Sequence, residues 1–283
     1  MEYGKNYRNM LAEINLILEN FDDASFVGLC NSILGINVPV IFIGEGETKI
    51  VYLGGELGYD RLTPYILTRF VRDICALKKE GGAVFGFSAE YILKKYTFVV
   101  IPMLNPDGVS YCECGVSDDN PLKERALKLN NQSDDFSKWI GNARGVDLRY
   151  CYESAMENSE FLPEIEVGSL CNFLKFWVKP QMIFEFYQGL GAKSSIYYGD
   201  GEQGNKIAVA LSQMTGFGRC FCDDGEGKTL MTWSRRELGS KTFVTELCTD
   251  GMLFEKSAGE MKFVKYLQLR KMLFCAPLLS KIQ

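Results

Sequence analysis

The sequence predicts an α/β domain built on a central mixed β-sheet with helices on both faces. Three observations predict it. Apolar strand-like runs alternate with amphipathic helical runs along the chain. Some of the strand runs, residues 97–104 (TFVVIPML) above all, are almost continuously apolar, as a strand covered on both faces must be. The 283 residues are 47% hydrophobic and 24% charged, a globular balance with enough chain for a substantial core. No linker-like stretch divides the sequence, so residues 1–283 are expected to form one domain, with 1–24 an N-terminal helix packed on it.

The elements follow in order. Residues 3–20 carry Leu11, Ile14, Ile17 and Leu18 at helical spacing, with Glu13, Asn15 and Glu19 between them. Residues 38–43 (VPVIFI) and 49–53 (KIVYL) read as strands, and the Gly44-Glu45-Gly46-Glu47 turn between them makes the pair a hairpin. Residues 62–79 are helical, with Thr63-Pro64 at the start. The strand at 97–104 stops at Asn105-Pro106-Asp107-Gly108, a turn signal. Residues 112–144 are polar and read as a long surface segment. A helix is expected over 161–178, before Pro180. Strands follow at 182–187 (MIFEFY) and 196–198 (IYY), a helix at 202–215, a strand at 242–248 (TFVTELC) and a closing helix over 255–275.

Composition removes several function classes. Lys plus Arg is 31 and Asp plus Glu is 36, a net charge of −5, and no basic run exists, so nucleic-acid binding is not expected. No stretch reaches the roughly 18 apolar residues of a membrane span. The chain has no histidine, which removes His-based general bases, Ser-His or Cys-His nucleophiles and His-ligated metals. The ten cysteines, without a secretion signal, read as reduced thiols in a cytoplasmic protein. Two CxC pairs, Cys112/Cys114 and Cys220/Cys222, would make a four-thiolate zinc site only if their segments met; at this spacing unpaired thiols are the expectation. Neither GxGxxG nor a P-loop occurs, so nucleotide binding has no support.

Seven segments carry a different signal: 32–55 (SILGINVPVIFIGEGETKIVYLGG), 57–74 (LGYDRLTPYILTRFVRDI), 99–108 (VVIPMLNPDG), 139–152 (WIGNARGVDLRYCY), 184–189 (FEFYQG), 196–198 and 242–248. In this order the chain resembles the zinc carboxypeptidase family, most nearly its bacterial members that cut cell-wall stem peptides. The resemblance runs over about 25–275, and the NPDG and GVDL segments are its most specific parts. It implies a zinc-carboxypeptidase-like fold. It also implies a zinc ion held by a His-x-x-Glu pair and a later His, a general-base Glu on the last strand, and an Asn-Arg pair after GVDL that grips the substrate carboxylate.

Carried over residue by residue, the zinc ligand positions fall on Leu57, Asp60 and Phe186. A register shifted by one would put Glu185 or Tyr187 in place of Phe186. The general base is retained as Glu246. The Asn-Arg pair falls on Arg149-Tyr150, and Arg144 is the nearest counterpart of the arginine that polarises the carbonyl. Arg149 reads either as an ion-pair partner of Asp60 or Glu246 or as a substrate clamp. Tyr150, Tyr152, Tyr187, Tyr197 and Tyr198 are candidate cleft residues. The expected protein is therefore a carboxypeptidase-like pseudo-peptidase with no cofactor, binding a peptide, a peptidoglycan-like stem peptide or a protein partner through the old cleft. The alternative is an active metallocarboxypeptidase with oxygen or sulfur ligands drawn from Glu56, Asp60, Glu185, Cys151 and Cys248.

Overall fold

In the computed structural model, which describes residues 4–156, 162–191, 193–199, 201–222, 229–248 and 258–281, the chain starts with helix α1 (Lys5–Asn20) and strands β1 (Ala24–Asn31), β2 (Asn37–Ile43) and β3 (Thr48–Leu53). Helix α2 (Leu62–Lys79), the small hairpin β4 (Ala83–Val84) and β5 (Phe87–Ser88), helix α3 (Ala89–Lys95) and strand β6 (Tyr96–Ile101) follow. Then come α4 (Pro106–Cys114), α5 (Lys123–Leu129), two 3₁₀ turns (Leu148–Tyr150 and Tyr152–Ala155) and α6 (Ile165–Phe173). The chain continues with β7 (Met182–Gly189), β8 (Ser195–Tyr198), α7 (Gly201–Thr215), β9 (Gly218–Phe221), α8 (Leu230–Leu238), β10 (Lys241–Cys248) and α9 (Ala258–Leu279).

Eight strands form one sheet in the order β1-β2-β6-β3-β7-β10-β8-β9. The four central strands β6, β3, β7 and β10 run parallel, and β2 and β8 pair against them antiparallel. The expected mixed α/β sheet is thus present, with the strands read at 97–104, 182–187 and 242–248 all inside it. Parallel central strands must be covered on both faces, which explains their continuous apolar runs. One face sets Ile50, Tyr52, Phe98, Phe184, Phe186 and Phe243 against α1, α2, α7 and α9. The other sets Val51, Leu53, Val99, Ile101 and Ile183 against Leu148, Tyr152, α6 and α8.

Several local expectations are corrected. Residues 38–43 and 49–53 are not a hairpin: β6 lies between β2 and β3 and pairs with both. A Gly-rich turn signals a reversal, but not which strand will be the neighbour. The NPDG segment is the start of α4 rather than a free turn. Asn105 Oδ1 accepts from Gly108 N at 2.9 Å and Pro106 takes the first helical position. The helix expected over 161–178 begins at Ile165 and ends in a π-helical turn, Leu174–Val178. The polar stretch 112–144 holds the end of α4 and all of α5. Residue 161 of that expected helix, and 255–257 of the closing one, lie outside the described residues. Strands β1 and β9 and helices α3 and α8 were not legible. Strand β9 and helix α3 are short and β1 is largely exposed, so they leave little signal, whereas α8 has an apolar face with Leu230, Met231 and Trp233 buried. No described helix is long and apolar enough to cross a membrane.

Candidate functional site

The site lies where the parallel strands β3, β7 and β10 end, the usual place for a site in an open α/β sheet. Strand alternation decides which side chains reach it. Along β7, Phe184 and Phe186 point into the core with Tyr52, whose ring centroid is 6.0 Å from that of Phe186. Glu185 and Tyr187 therefore point to the other face. On β10, Glu246 pairs in register with Tyr187 and shares that face. It also packs across Gly189, where an added Cβ would fall 2.2 Å from Glu246 Oε1.

Beyond β3 the chain supplies Glu56, which is fully buried, as is Tyr152. The Tyr152 hydroxyl donates to Glu56 Oε1, and Glu56 and Glu185 are hydrogen-bonded to each other. Glu56 Oε2 and Glu185 Oε2 are buried and meet no other donor. Burial pushes both carboxyls up. Glu185 rises well above the ordinary carboxylate range, further disfavoured by the Glu56 charge. Glu56 is helped toward ionisation by hydrogen bonds from Glu185 and Tyr152 and by the field of Arg149. Burial thus favours the protonated form of both carboxyls, most strongly at Glu185.

Asp60 is fully buried but committed elsewhere. Its Oδ1 accepts from Leu62 N at 3.1 Å and Thr63 N at 3.0 Å; its Oδ2 accepts from Thr63 Oγ1 at 2.7 Å and Gln188 N at 3.0 Å. It caps α2 and staples that helix to the end of β7. Burial still pushes its carboxyl up to about 6, against the pull of these donors. Leu57 is fully buried and offers no lone pair.

The outer part of the site is aromatic and charged. Arg149 Nε and Nη2 donate to Asp147 at 3.0 and 2.7 Å, so its ion-pair partner is Asp147, not Asp60 or Glu246. Its guanidinium lies 5.5 Å from the ring centres of both Tyr150 and Tyr187. Tyr150 is 59% exposed, which makes it a rim residue. Tyr197 Oη donates to Glu246 Oε2 at 2.9 Å; burial first, then this carboxylate, pushes the phenol up to about 12. Tyr59, not singled out in the sequence, is half-buried in the field of Arg149, Asp60, Asp147 and Glu246. Arg144 pairs instead with Glu164 at 3.5 Å.

The cysteines of the two CxC pairs join no metal-binding group: among the described residues no three His, Cys, Asp or Glu side chains converge in that way. Cys112 Sγ rests against the Trp139 carbonyl at 3.2 Å, while Cys220 lies on the edge strand β9. No disulfide joins any of the ten cysteines.

No protein-family model matches the chain. It is 28% identical over 143 residues to gamma-D-glutamyl-L-diamino acid endopeptidase 1 of Lysinibacillus sphaericus, a match over 50% of this chain and 36% of that one. It is 24% identical over 151 residues to an uncharacterized protein, YqgT, of Bacillus subtilis, covering 53% of this chain and 40% of that one. The matched region is thus well under half the length of these relatives. Among solved structures, a metallo-carboxypeptidase from Burkholderia cenocepacia superposes with a TM-score of 0.69 at 13% identity, over 96% of this chain and 68% of the other. Bovine thrombin-activatable fibrinolysis inhibitor gives 0.68 at 12% identity, over 99% and 97%. The resemblance to zinc carboxypeptidases read from the sequence is therefore matched in three dimensions: this chain has the metallocarboxypeptidase fold and shares sequence with a gamma-D-glutamyl-L-diamino acid endopeptidase over half its length.

Proposed function

We propose that the protein is a non-catalytic member of this peptidase fold that binds a peptide, of the cell-wall stem type or from a protein partner, in the cleft around Arg149, Tyr150 and Tyr187. One observation carries the reading. What supports it is the buried hydrogen-bonded cluster of Glu56, Glu185 and Tyr152 at the sheet end where the resemblance to carboxypeptidases would put a metal. Two of the positions carried over from the family do not fit zinc: Leu57 has no donor atom and Asp60 spends both oxygens on four N–H and O–H donors; the third, Phe186, is turned into the core and leaves Glu185 facing the cleft in its stead. Glu246 then faces water of ordinary acidity. A carboxylate cannot make useful hydroxide from such water, and no Lewis acid steadies the oxyanion; loss of one oxyanion donor alone costs about 3 kcal/mol elsewhere.

What survives suits binding. Arg149, held in orientation by Asp147 and stacked between two tyrosines, presents a guanidinium to a peptide carboxylate at the rim. Tyr197 and Glu246 supply a donor–acceptor pair deeper in the cleft. The test is calorimetry with stem-type tetrapeptides on untagged protein, with chromatography of the same samples. The expected result is saturable binding, weakened by Arg149→Gln, with the peptide recovered intact. Metal-dependent cleavage that Glu246→Gln abolishes would replace this reading with an active metallopeptidase using oxygen ligands.

A further inference from the structure

The other end of the sheet carries a surface of a different kind. Strands β3, β6, β7 and β10 run parallel, so their starts lie together at the end opposite Glu246. Lys49, Lys95, Lys179, Lys241 and Lys281 gather there. Gln181 joins several of them. Its N–H donates to Lys49 O at 3.0 Å, its carbonyl accepts from Lys241 N at 3.3 Å, and Lys179 precedes it by two positions. Its side-chain amide reaches Ser280 O at 3.4 Å, beside Lys281. Lys95 and Lys281 approach within hydrogen-bonding reach of each other, and this contact pushes the Lys281 ammonium down.

Among the described residues, none of these five ammoniums pairs with a carboxylate. Lys49 Nζ donates to Trp177 O and Lys95 Nζ to Tyr91 Oη, both at 3.3 Å. Nearby Glu90 and Glu237 are held by Lys94 at 2.7 Å and by Lys175 at 2.8 Å, and Glu45, Glu47 and Glu80 are outnumbered. A net positive end in a chain of net charge −5 is segregated charge. Exposed aromatic rings flank the lysines on both sheet faces. On one face the π-helical turn after α6 presents Phe176 and Trp177, 63% and 76% exposed. On the other the β4–β5 hairpin presents Phe85 and Phe87, 59% and 40% exposed, with Phe87 stacked on Tyr91 at 6.1 Å between ring centroids. Large rings left in water beside a strip of cations mark an interaction surface.

We propose that this end of the sheet docks on an anionic lipid bilayer, with the five lysines over headgroup phosphates and with Phe85, Phe87, Phe176 and Trp177 at the boundary between headgroups and acyl chains. Charge complementarity carries the lysine strip. The rings decide for a bilayer, because a soluble polyanion has no apolar layer to receive them. Lysine stems can lie against that layer while their ammoniums stay at the charged surface. Docked in this way, the protein turns its Glu246 cleft away from the membrane.

The test is co-sedimentation of the full chain with vesicles of phosphatidylcholine alone and of phosphatidylcholine mixed with phosphatidylglycerol, with heparin-column retention measured beside it. Binding is expected to the anionic vesicles alone and should fall as salt is raised. Lys179→Gln and Lys241→Gln should each weaken it about fivefold. Trp177→Ala should weaken it by a similar factor. These side chains are exposed or half-buried, so the variants keep the fold, which circular dichroism checks. No partition into anionic vesicles, equal partition into neutral ones, or affinity untouched by both the lysine and the tryptophan substitutions would overturn the proposal. Retention on heparin without vesicle binding would overturn it too, in favour of a soluble polyanion.

Discussion

Replacing Asp60 by asparagine separates a structural carboxylate from a metal ligand. In the structure Asp60 Oδ2 accepts from Thr63 Oγ1 and Gln188 N, and an amide NH₂ turned to those donors leaves both unpaired. Exposing such a mismatch in a buried site costs about 2 kcal/mol. Ionisation acts in the opposite sense. Burial raises the Asp60 carboxyl from its ordinary 3.8 to about 6, so between about pH 4 and pH 6 the folded state keeps a proton that the unfolded chain has released. Stability from this group is greatest below pH 4, falls through the window and levels off above pH 6, a total of about 3 kcal/mol. Asparagine has no such fall. The parent's advantage over the variant should therefore shrink by about 3 kcal/mol between pH 4 and pH 7. Urea unfolding of both proteins at pH 4, 5, 6 and 7 measures this, and the difference between them cancels other titrating groups such as Glu166. A difference that does not change with pH would refute the reasoning, as would one that grows as pH rises.

Three further outcomes follow from the same geometry. Phe186→His puts an imidazole among Tyr52 and Phe184 rather than in the cleft, so it should lower stability by about 3 kcal/mol and create no zinc affinity; melting with and without zinc checks both. Tyr152→Phe removes the donor to Glu56 and should cost about 1–3 kcal/mol in denaturant unfolding. Gly189→Ala forces the Glu246 side chain off β7, so it should weaken peptide binding in the calorimetric assay while altering the melting temperature little.

The sheet was legible where physics leaves a period. Strands β6, β7 and β10 are buried on both faces and declare themselves as apolar runs. The β2–β3 neighbour relation was not, because pairing partners are set by the whole sheet and not by the turn between two strands. At the candidate site the ordered motifs bring Glu185, Tyr187 and Glu246 to one sheet end, but a one-residue period hid the rest. Alternation puts Glu185, and not Phe186, into the cleft, and only the structure fixes that register. Glu56 and Tyr152 are 96 positions apart in sequence, so no local pattern predicts their hydrogen bond or the approach of Glu185. Tyr59 gave no signal, being one aromatic beside a glycine. Asp147 was visible only as part of GVDL, and its grip on Arg149 is a turn geometry that spacing alone does not specify.

The proposed function rests on a buried carboxyl pair at the sheet end where the resemblance would put a metal, and element analysis of the untagged protein tests it most directly. The chain, purified without chelators and dialysed against trace zinc, is measured for zinc, manganese and magnesium beside a Glu185→Gln variant. The account predicts far less than one metal ion per chain in both proteins, and no change in melting temperature on adding zinc. One tightly held ion per chain, lost in the Glu185→Gln variant, would contradict it.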